Sequence, residues 1–365
     1  MNGRWLSFGA CAALLAACRH APPLPAEQRA ALARDARAYV SGAVRDLARR
    51  AVLNRRDFVY GIALSPGADR AAFTHLDFET FRLGLWALTP EGEAPRAIAD
   101  VELNGYERDV EAVAFSPDGL WLATAGRDGA LRLFDAQTGA LLRQAKSEEP
   151  LTAVAFDASG ENVVAGGAAG TLSVFARETL ASGAVVHAHE GEIRAVQVAP
   201  DGSIYSGGFD KTVAVFAPAS NDGSAGTLEP RARFTFEGYV NDLTLDRQGS
   251  RMGLALSDVK AERTPKMLRR EKKGREEPVR PANAGVIADA RTGKVLRRWA
   301  HHRSVVATAA LSPDGQALAT GGWDNRVFLF DQWSSGDAPR AQQALAWDVR
   351  RLRFSANGRY LAAAA

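Results

Sequence analysis

The chain has 365 residues, 24 % of them charged, and a formal net charge of only +3, so composition carries no basic footprint of a nucleic-acid binder. Two cysteines exclude a disulfide-rich scaffold, and the six histidines show no metal-ligand spacing: His187 and His189 lie two apart with no third ligand nearby. A core of about 300 residues is stable without such staples.

The N-terminus reads as a leader. Arg4 precedes the apolar run Trp5 to Ala17, too short to span a bilayer at about 1.5 Å per residue. The run ends in Leu15-Ala16-Ala17-Cys18, which resembles the lipobox of bacterial lipoproteins. The resemblance implies removal of residues 1–17 and acylation of Cys18, which becomes the first residue. An ordinary signal peptide cut near Ala17, or an apolar N-terminus that signals nothing, is the alternative. Two or more acyl chains form a stable anchor, at roughly 0.8 kcal/mol per buried CH₂. Arg19 stands where an inner-membrane retention signal resembles Asp, so the expected address in a Gram-negative envelope is the outer membrane, facing the periplasm. Inner membrane and cell surface are the other addresses. Cys11 leaves with the leader and Cys18 is consumed by lipid, which leaves no disulfide in the mature domain.

Residues 18–25, with Ala21-Pro22-Pro23-Leu24-Pro25, form a stiff tether. Residues 26–50 carry a helical pattern, with Leu32, Ala36, Tyr39, Ala43 and Leu47 on one face and Arg29, Arg34, Arg37, Arg45, Arg49 and Arg50 largely off it. This basic amphipathic helix either rests on anionic lipid or packs its alanine-rich face against the domain that follows.

From residue 51 to 365 the sequence repeats seven times. Each repeat has a turn that ends its first strand: Ser65-Pro66-Gly67-Ala68, Ser116-Pro117-Asp118-Gly119, Asp157-Ala158-Ser159-Gly160, Ala199-Pro200-Asp201-Gly202, Asp246-Arg247-Gln248-Gly249, Ser312-Pro313-Asp314-Gly315 and Ser355-Ala356-Asn357-Gly358. The turns lie 51, 41, 42, 47, 66 and 43 positions apart. A period near 42 broken by insertions is the signature of a radial array of small sheets. In the second repeat the strands are expected at Val110 to Phe115, Leu120 to Thr124, Leu131 to Asp135 and Ala140 to Arg143, with a hairpin at Gly126-Arg127-Asp128-Gly129. The third strand recurs as Leu83 to Leu88, Leu172 to Phe175, Val213 to Phe216 and Val327 to Phe330.

These repeats resemble the WD-repeat β-propeller family. Phe134-Asp135 and Phe330-Asp331 stand where that family has Trp-Asp; Phe175-Ala176 and Phe216-Ala217 depart further. The family's Gly-His pair appears as His189-Glu190 and His301-His302, and its turn aspartate as Asp128, Asp210 and Asp324. The resemblance implies a buried chain through His189, Ser206 and Asp210, and another through His302, Thr320 and Asp324, with Phe in place of the Trp donor. Two blades carrying the same pair at the same place read as structural His–Asp pairs, and no Ser or Cys elbow accompanies either. The expected fold is thus all-β, a seven-bladed propeller preceded by a helix. Its seventh blade is incomplete: Val349 to Phe354 and a strand from Arg359 are followed only by Ala362 to Ala365. Ala51 to Asp57 is the expected outermost strand of that blade, and further residues are expected beyond Ala365.

Two loops between second and third strands break the period. Blade one carries Thr74 to Phe81, with Phe78 and Phe81 as exposed-looking aromatics. Blade five carries an insertion, residues 258–283, holding nine Lys or Arg against four Glu between Lys260 and Arg280. Lys266, Arg269, Arg270, Lys272 and Lys273 make it either an arm that captures an acidic surface or a solubilising loop. No aromatics interleave its charges for base stacking, and no G-x-G-x-x-G opens a helix after a strand, so neither nucleic acid nor a cofactor is expected. With no catalytic set, the expected function is a membrane-anchored, non-enzymatic protein-interaction scaffold. By architecture and address it is similar to propeller lipoproteins of the envelope. The rival is a substrate-recognition propeller of an envelope enzyme whose catalytic segment lies beyond residue 365.

Overall fold

A computed structural model describes residues 13–17, 48–52, 58–77, 80–88, 95–103, 110–218, 228–258, 282–331 and 336–365. All the regular structure among them is β. Six sheets are each built from four consecutive antiparallel strands. Their inner strands are Phe58–Leu64, Val110–Phe115, Leu151–Phe156, Ile193–Val198, Tyr239–Leu245 and Val306–Leu311. A seventh sheet starts with Arg351–Phe354 and Tyr360–Ala364, beside which run Ala13–Ala17 and then Ala48–Val52. Each inner strand packs beside the next, and Arg351–Phe354 returns to Phe58–Leu64, which closes the ring. The chain is therefore an all-β propeller with six full blades and a seventh for which the repeat itself supplies two strands.

All seven turns form as the sequence repeat predicts. In each, the fourth residue's N–H donates to the first residue's carbonyl, from Ala68 to Ser65 through Gly358 to Ser355. The first side chain explains the recurring Ser or Asp. Ser116 Oγ accepts from Trp121 N (2.9 Å) and Ser312 Oγ from Ala317 N (2.9 Å), and Asp246 Oδ1 takes the same place toward Arg251 N (3.2 Å). Six of the seven fourth positions are glycine at positive φ, and the seventh is Ala68 at φ 56°. An L-residue there carries a cost of about 1–2 kcal/mol. Ala68→Gly should consequently raise stability by about 0.5–1 kcal/mol in urea melts, after the loss of chain stiffness is counted.

Successive side chains alternate between the neighbouring blades. In blade seven, Leu361 and Ala363 face the blade-six cluster of Val327 and Leu329, while Ala362 and Ala364 face Val59, Ile62 and Phe73 of blade one. Blade boundaries are thereby dry on both sides, and no sheet is stable apart from the ring.

Blade two matches the expected strands to within three residues: Trp121–Gly126, Ala130–Asp135 and Leu141–Lys146 follow the inner strand. Three expectations need adjusting or fall elsewhere. Thr74 to Phe81 is not a loop: Arg70–Asp77 and Thr80–Ala87 extend the hairpin so that two residues connect them. Thr74 and His75 are buried, because their polar atoms find partners: Thr74 Oγ1 donates to Val110 O (2.8 Å), and His75 Nε2 lies 3.2 Å from Asp100 Oδ1. The outermost strand of blade seven is Ala48–Val52 rather than Ala51 to Asp57, and Ala13–Ala17 holds the place between it and Tyr360–Ala364. Most of the expected helix over 26–50 lies outside the described residues, and Ala48 to Arg50 belong to that outermost strand.

Candidate functional site

The propeller axis carries the densest chemistry of the molecule, and a recurring backbone irregularity puts it there. In six blades the pairing of the inner strand slips by one residue near its start: between Val59 and Gly61, Val110 and Ala112, Leu151 and Ala153, Ile193 and Ala195, Val240 and Asp242, and Val306 and Thr308. Each slip is a bulge that leaves one residue out of the ladder and re-aims its side chain. The residues so released are Tyr60, Glu111, Thr152, Arg194, Asn241 and Ala307.

Glu111 and Arg194 meet from blades two and four. Arg194 Nη1 donates to Glu111 Oε2 and to Glu192 Oε1 (2.6 Å). Arg127, on the hairpin of blade two, donates through Nε to Glu111 Oε1 (2.8 Å) and through Nη2 to Glu192 Oε1 (2.7 Å). Burial raises the Glu111 carboxyl, but Arg194 and Arg127 outweigh it and hold the group at about 2. A second cluster lies one residue deeper. Asp242, with no exposed side-chain surface, faces Arg351 Nη1 (3.2 Å) and Arg353 Nη1 (2.8 Å) of blade seven. It also accepts from Thr308 Oγ1 (2.6 Å) and Ala309 N (3.3 Å) of blade six. Arg351 Nη2 donates to Arg194 O (3.3 Å), which links the two clusters. Blades two, four, five, six and seven are thus tied together at the axis by hydrogen-bonded charge.

The His–Asp pairs sit farther out, within single blades. His189 Nδ1 contacts Asp210 Oδ1 (2.9 Å) and its Nε2 contacts Ser206 Oγ (2.8 Å). His302 Nδ1 contacts Asp324 Oδ1 (2.9 Å) and its Nε2 contacts Thr320 Oγ1 (2.9 Å). With Nδ1–H donating to the carboxylate, Nε2 accepts from the hydroxyl, so both ring nitrogens are engaged inside the blade. Burial raises the Asp210 and Asp324 carboxyls, but the histidine hydrogen bond and charge prevail and keep both below the usual carboxylate range. Blade two has no histidine, and there Arg132 Nη1 reaches Asp128 Oδ2 (3.2 Å) from the third strand. Where a Trp donor is missing in blade six, Phe330 is stacked on Trp299 at 5.0 Å between ring centres.

The family described as WD domain, G-beta repeat matches residues 100–135, 181–216 and 293–331. The chain carries WD40-type repeats. Two of the matched WD40 stretches hold the His189–Asp210 and His302–Asp324 pairs, and the third holds Asp128 with its Arg132 substitute. No curated protein matches the sequence.

The propeller places the other expected site residues unevenly. Phe81 is only 7 % exposed and packs with Leu83, Leu85 and Val110, its ring 5.6 Å from Tyr60. It is a core residue, because the longer hairpin of blade one turns it inward, and it presents nothing to a partner. Phe78, Cys18, Lys266, Arg269, Arg270, Lys272 and Lys273 lie outside the described residues. The insertion does join the second and third strands of blade five, Arg251–Ser257 and Ala284–Asp289. Its base is pinned: Asp258 N donates to Asn283 Oδ1 (3.3 Å), and Asn283 Nδ2 to Ser304 O (3.0 Å) of the loop entering blade six. Among the described residues no three His, Cys, Asp or Glu side chains gather as a metal site, and no helix is long and apolar enough to cross a membrane. The sequence reading missed the axis network; its one signal is a set of charges, Glu111, Arg194, Asp242, Arg351 and Arg353, interrupting otherwise apolar inner strands.

Proposed function

We propose that this propeller is a non-enzymatic platform that holds a protein partner at the periplasmic side of the outer membrane, anchored through acyl chains on Cys18. The observation that carries the reading is the gathering of irregular, non-repeating chemistry on one face. The hairpins bearing Arg127, Phe209 to Lys211 and Trp323 to Asn325 leave the blades at the same end as the base of the insertion at Asp258 and Asn283. On that face Lys211 Nζ sits 5.2 Å from the ring of Tyr239, and Trp347 is exposed. Such a mix of aromatic and cationic groups suits a polypeptide surface with acidic residues. The buried titratable groups described above are engaged in holding blades, which favours recognition over chemistry.

The test is capture from envelope membranes. The chain should retain a protein partner at low salt, and neutralising Lys266, Arg269, Arg270, Lys272 and Lys273 should reduce recovery several-fold at low salt and little at high salt. Melting temperature should hardly change, the outcome that separates a role in capture from one in folding. Equal recovery from both versions would remove the arm from the proposal, and a copurified small molecule without protein would favour an enzyme subunit.

The anchor has its own test. Intact mass of detergent-extracted protein should show an acylated chain beginning at Cys18, and Cys18→Ser should release it from the membrane. Processing at that point also removes Ala13–Ala17, the strand beside Tyr360–Ala364. A lipidated chain must therefore meet the outer edge of Tyr360–Ala364 with another strand.

A further inference from the structure

The two charge clusters at the axis are not alike. In the first, Glu111 and Glu192 face Arg127 and Arg194, two carboxylates for two guanidinium groups. In the second, Asp242 alone faces both Arg351 and Arg353. Asp242 has no acceptor capacity left, because it already takes hydrogen bonds from Thr308, Ala309 and Arg353 on both oxygens. Among the described residues no other carboxylate pairs with Arg351 or Arg353.

One guanidinium charge is thus in excess in a largely buried place. The strain registers on Arg351, pushed down to about 10, first by burial and then by repulsion from Arg353 and Arg194, which Asp242 and Glu111 offset only in part. A buried charge without a counter-charge is costly, and proteins commonly answer it with a bound ion. Arg194 Nε, beside this cluster, is buried and makes no hydrogen bond.

Such an ion has a way in. Arg353 stands two residues before its turn, and the residues at that register in blades one, two and three are Ala63, Ala114 and Ala155. These three methyl groups pack into the apolar clusters between blades, so blades one to three send no long side chain from that register toward the arginines. The Arg353 side chain keeps 24 % of its surface exposed, so solvent reaches the site. Guanidinium groups present planar forks that match oxyanions with two hydrogen bonds each.

We propose that the propeller axis beside Arg351 and Arg353 binds a small inorganic oxyanion of the phosphate or sulfate class. This ion supplies the charge that Asp242 cannot, and joins blade seven to the ring from the inside. The site does not depend on the address or partner proposed above.

Thermal melts with inorganic phosphate, with ionic strength held constant by chloride, test it. The wild-type chain should show a saturable rise of about 2–4 °C, as ligand linkage predicts for a ligand well above its dissociation constant. Arg353→Gln leaves Asp242 and Arg351 as a balanced pair and should abolish the rise. A rise of equal size in Arg353→Gln, or none in the wild type, would overturn the proposal. If Arg353→Gln does not fold, the phosphorus resonance of phosphate decides instead. It should broaden with wild-type protein and sharpen again on adding sulfate; an unbroadened line, or one that sulfate leaves unchanged, is the refuting result.

Discussion

Asp242→Ala is expected to destabilise the propeller by about 3–5 kcal/mol, because it strands the buried Arg351 and the partly buried Arg353 at once. Asp242 holds Arg351 and Arg353 of blade seven while it accepts from Thr308 and Ala309 of blade six. Its loss therefore loosens the blade for which, among the described residues, the repeat supplies two strands. At roughly 2–4 °C per kcal/mol for a domain of this size, the melting temperature should fall on the order of 10 °C. Arg353→Gln provides the contrast. It removes one of two cations and leaves a matched pair, so its cost should be under about 1 kcal/mol. Urea melts of the two variants measure both values. Similar losses for the two would show that shape, rather than charge balance, matters at the axis.

Acid should weaken the fold well before ordinary carboxylates have all titrated. Glu111 is held at about 2 against an ordinary value of 4.5, and Asp242 is also lowered, its burial outweighed by Arg353 and Arg351. A depressed carboxyl binds fewer protons in the native than in the unfolded state. Its stabilisation is complete above pH 4.5 and drains away as pH falls toward 2. For Glu111 that amounts to on the order of 3 kcal/mol at neutral pH. Glu111→Gln should accordingly lower stability at pH 7 and flatten the dependence between pH 4.5 and 2. Melts across that range that run parallel for wild type and variant would refute the assignment.

The blade plan was legible because it is local. A Ser or Asp caps the N–H four or five residues on, and a fourth residue with positive φ closes the turn, all within six positions. The His–Asp pairs were legible for a related reason: the histidine stands ten residues before the turn in both blades, and the aspartate eleven or twelve after it. The axis was not legible. Glu111 and Arg194 are 83 residues apart and meet where bulges in separate strands share one register around the ring, while Asp242 and Arg353, 111 apart, meet from paired positions of blades five and seven. Phe81 misled for a different reason. Thr74-His75-Leu76-Asp77 has the polarity of a loop, yet Val110 O and Asp100 satisfy its buried polar atoms from neighbouring strands.

The shared bulge separates two kinds of information in this chain. Residues within the ladder have their side-chain direction set by strand pairing, and the single residue outside it is released from that alternation. Tyr60, Glu111, Thr152, Arg194, Asn241 and Ala307 form a ring of variable letters on a fixed frame. At Glu111 and Arg194 that letter delivers charge to the centre, whereas at Ala307 it packs against Val305 and Trp323, which a larger side chain would have to displace.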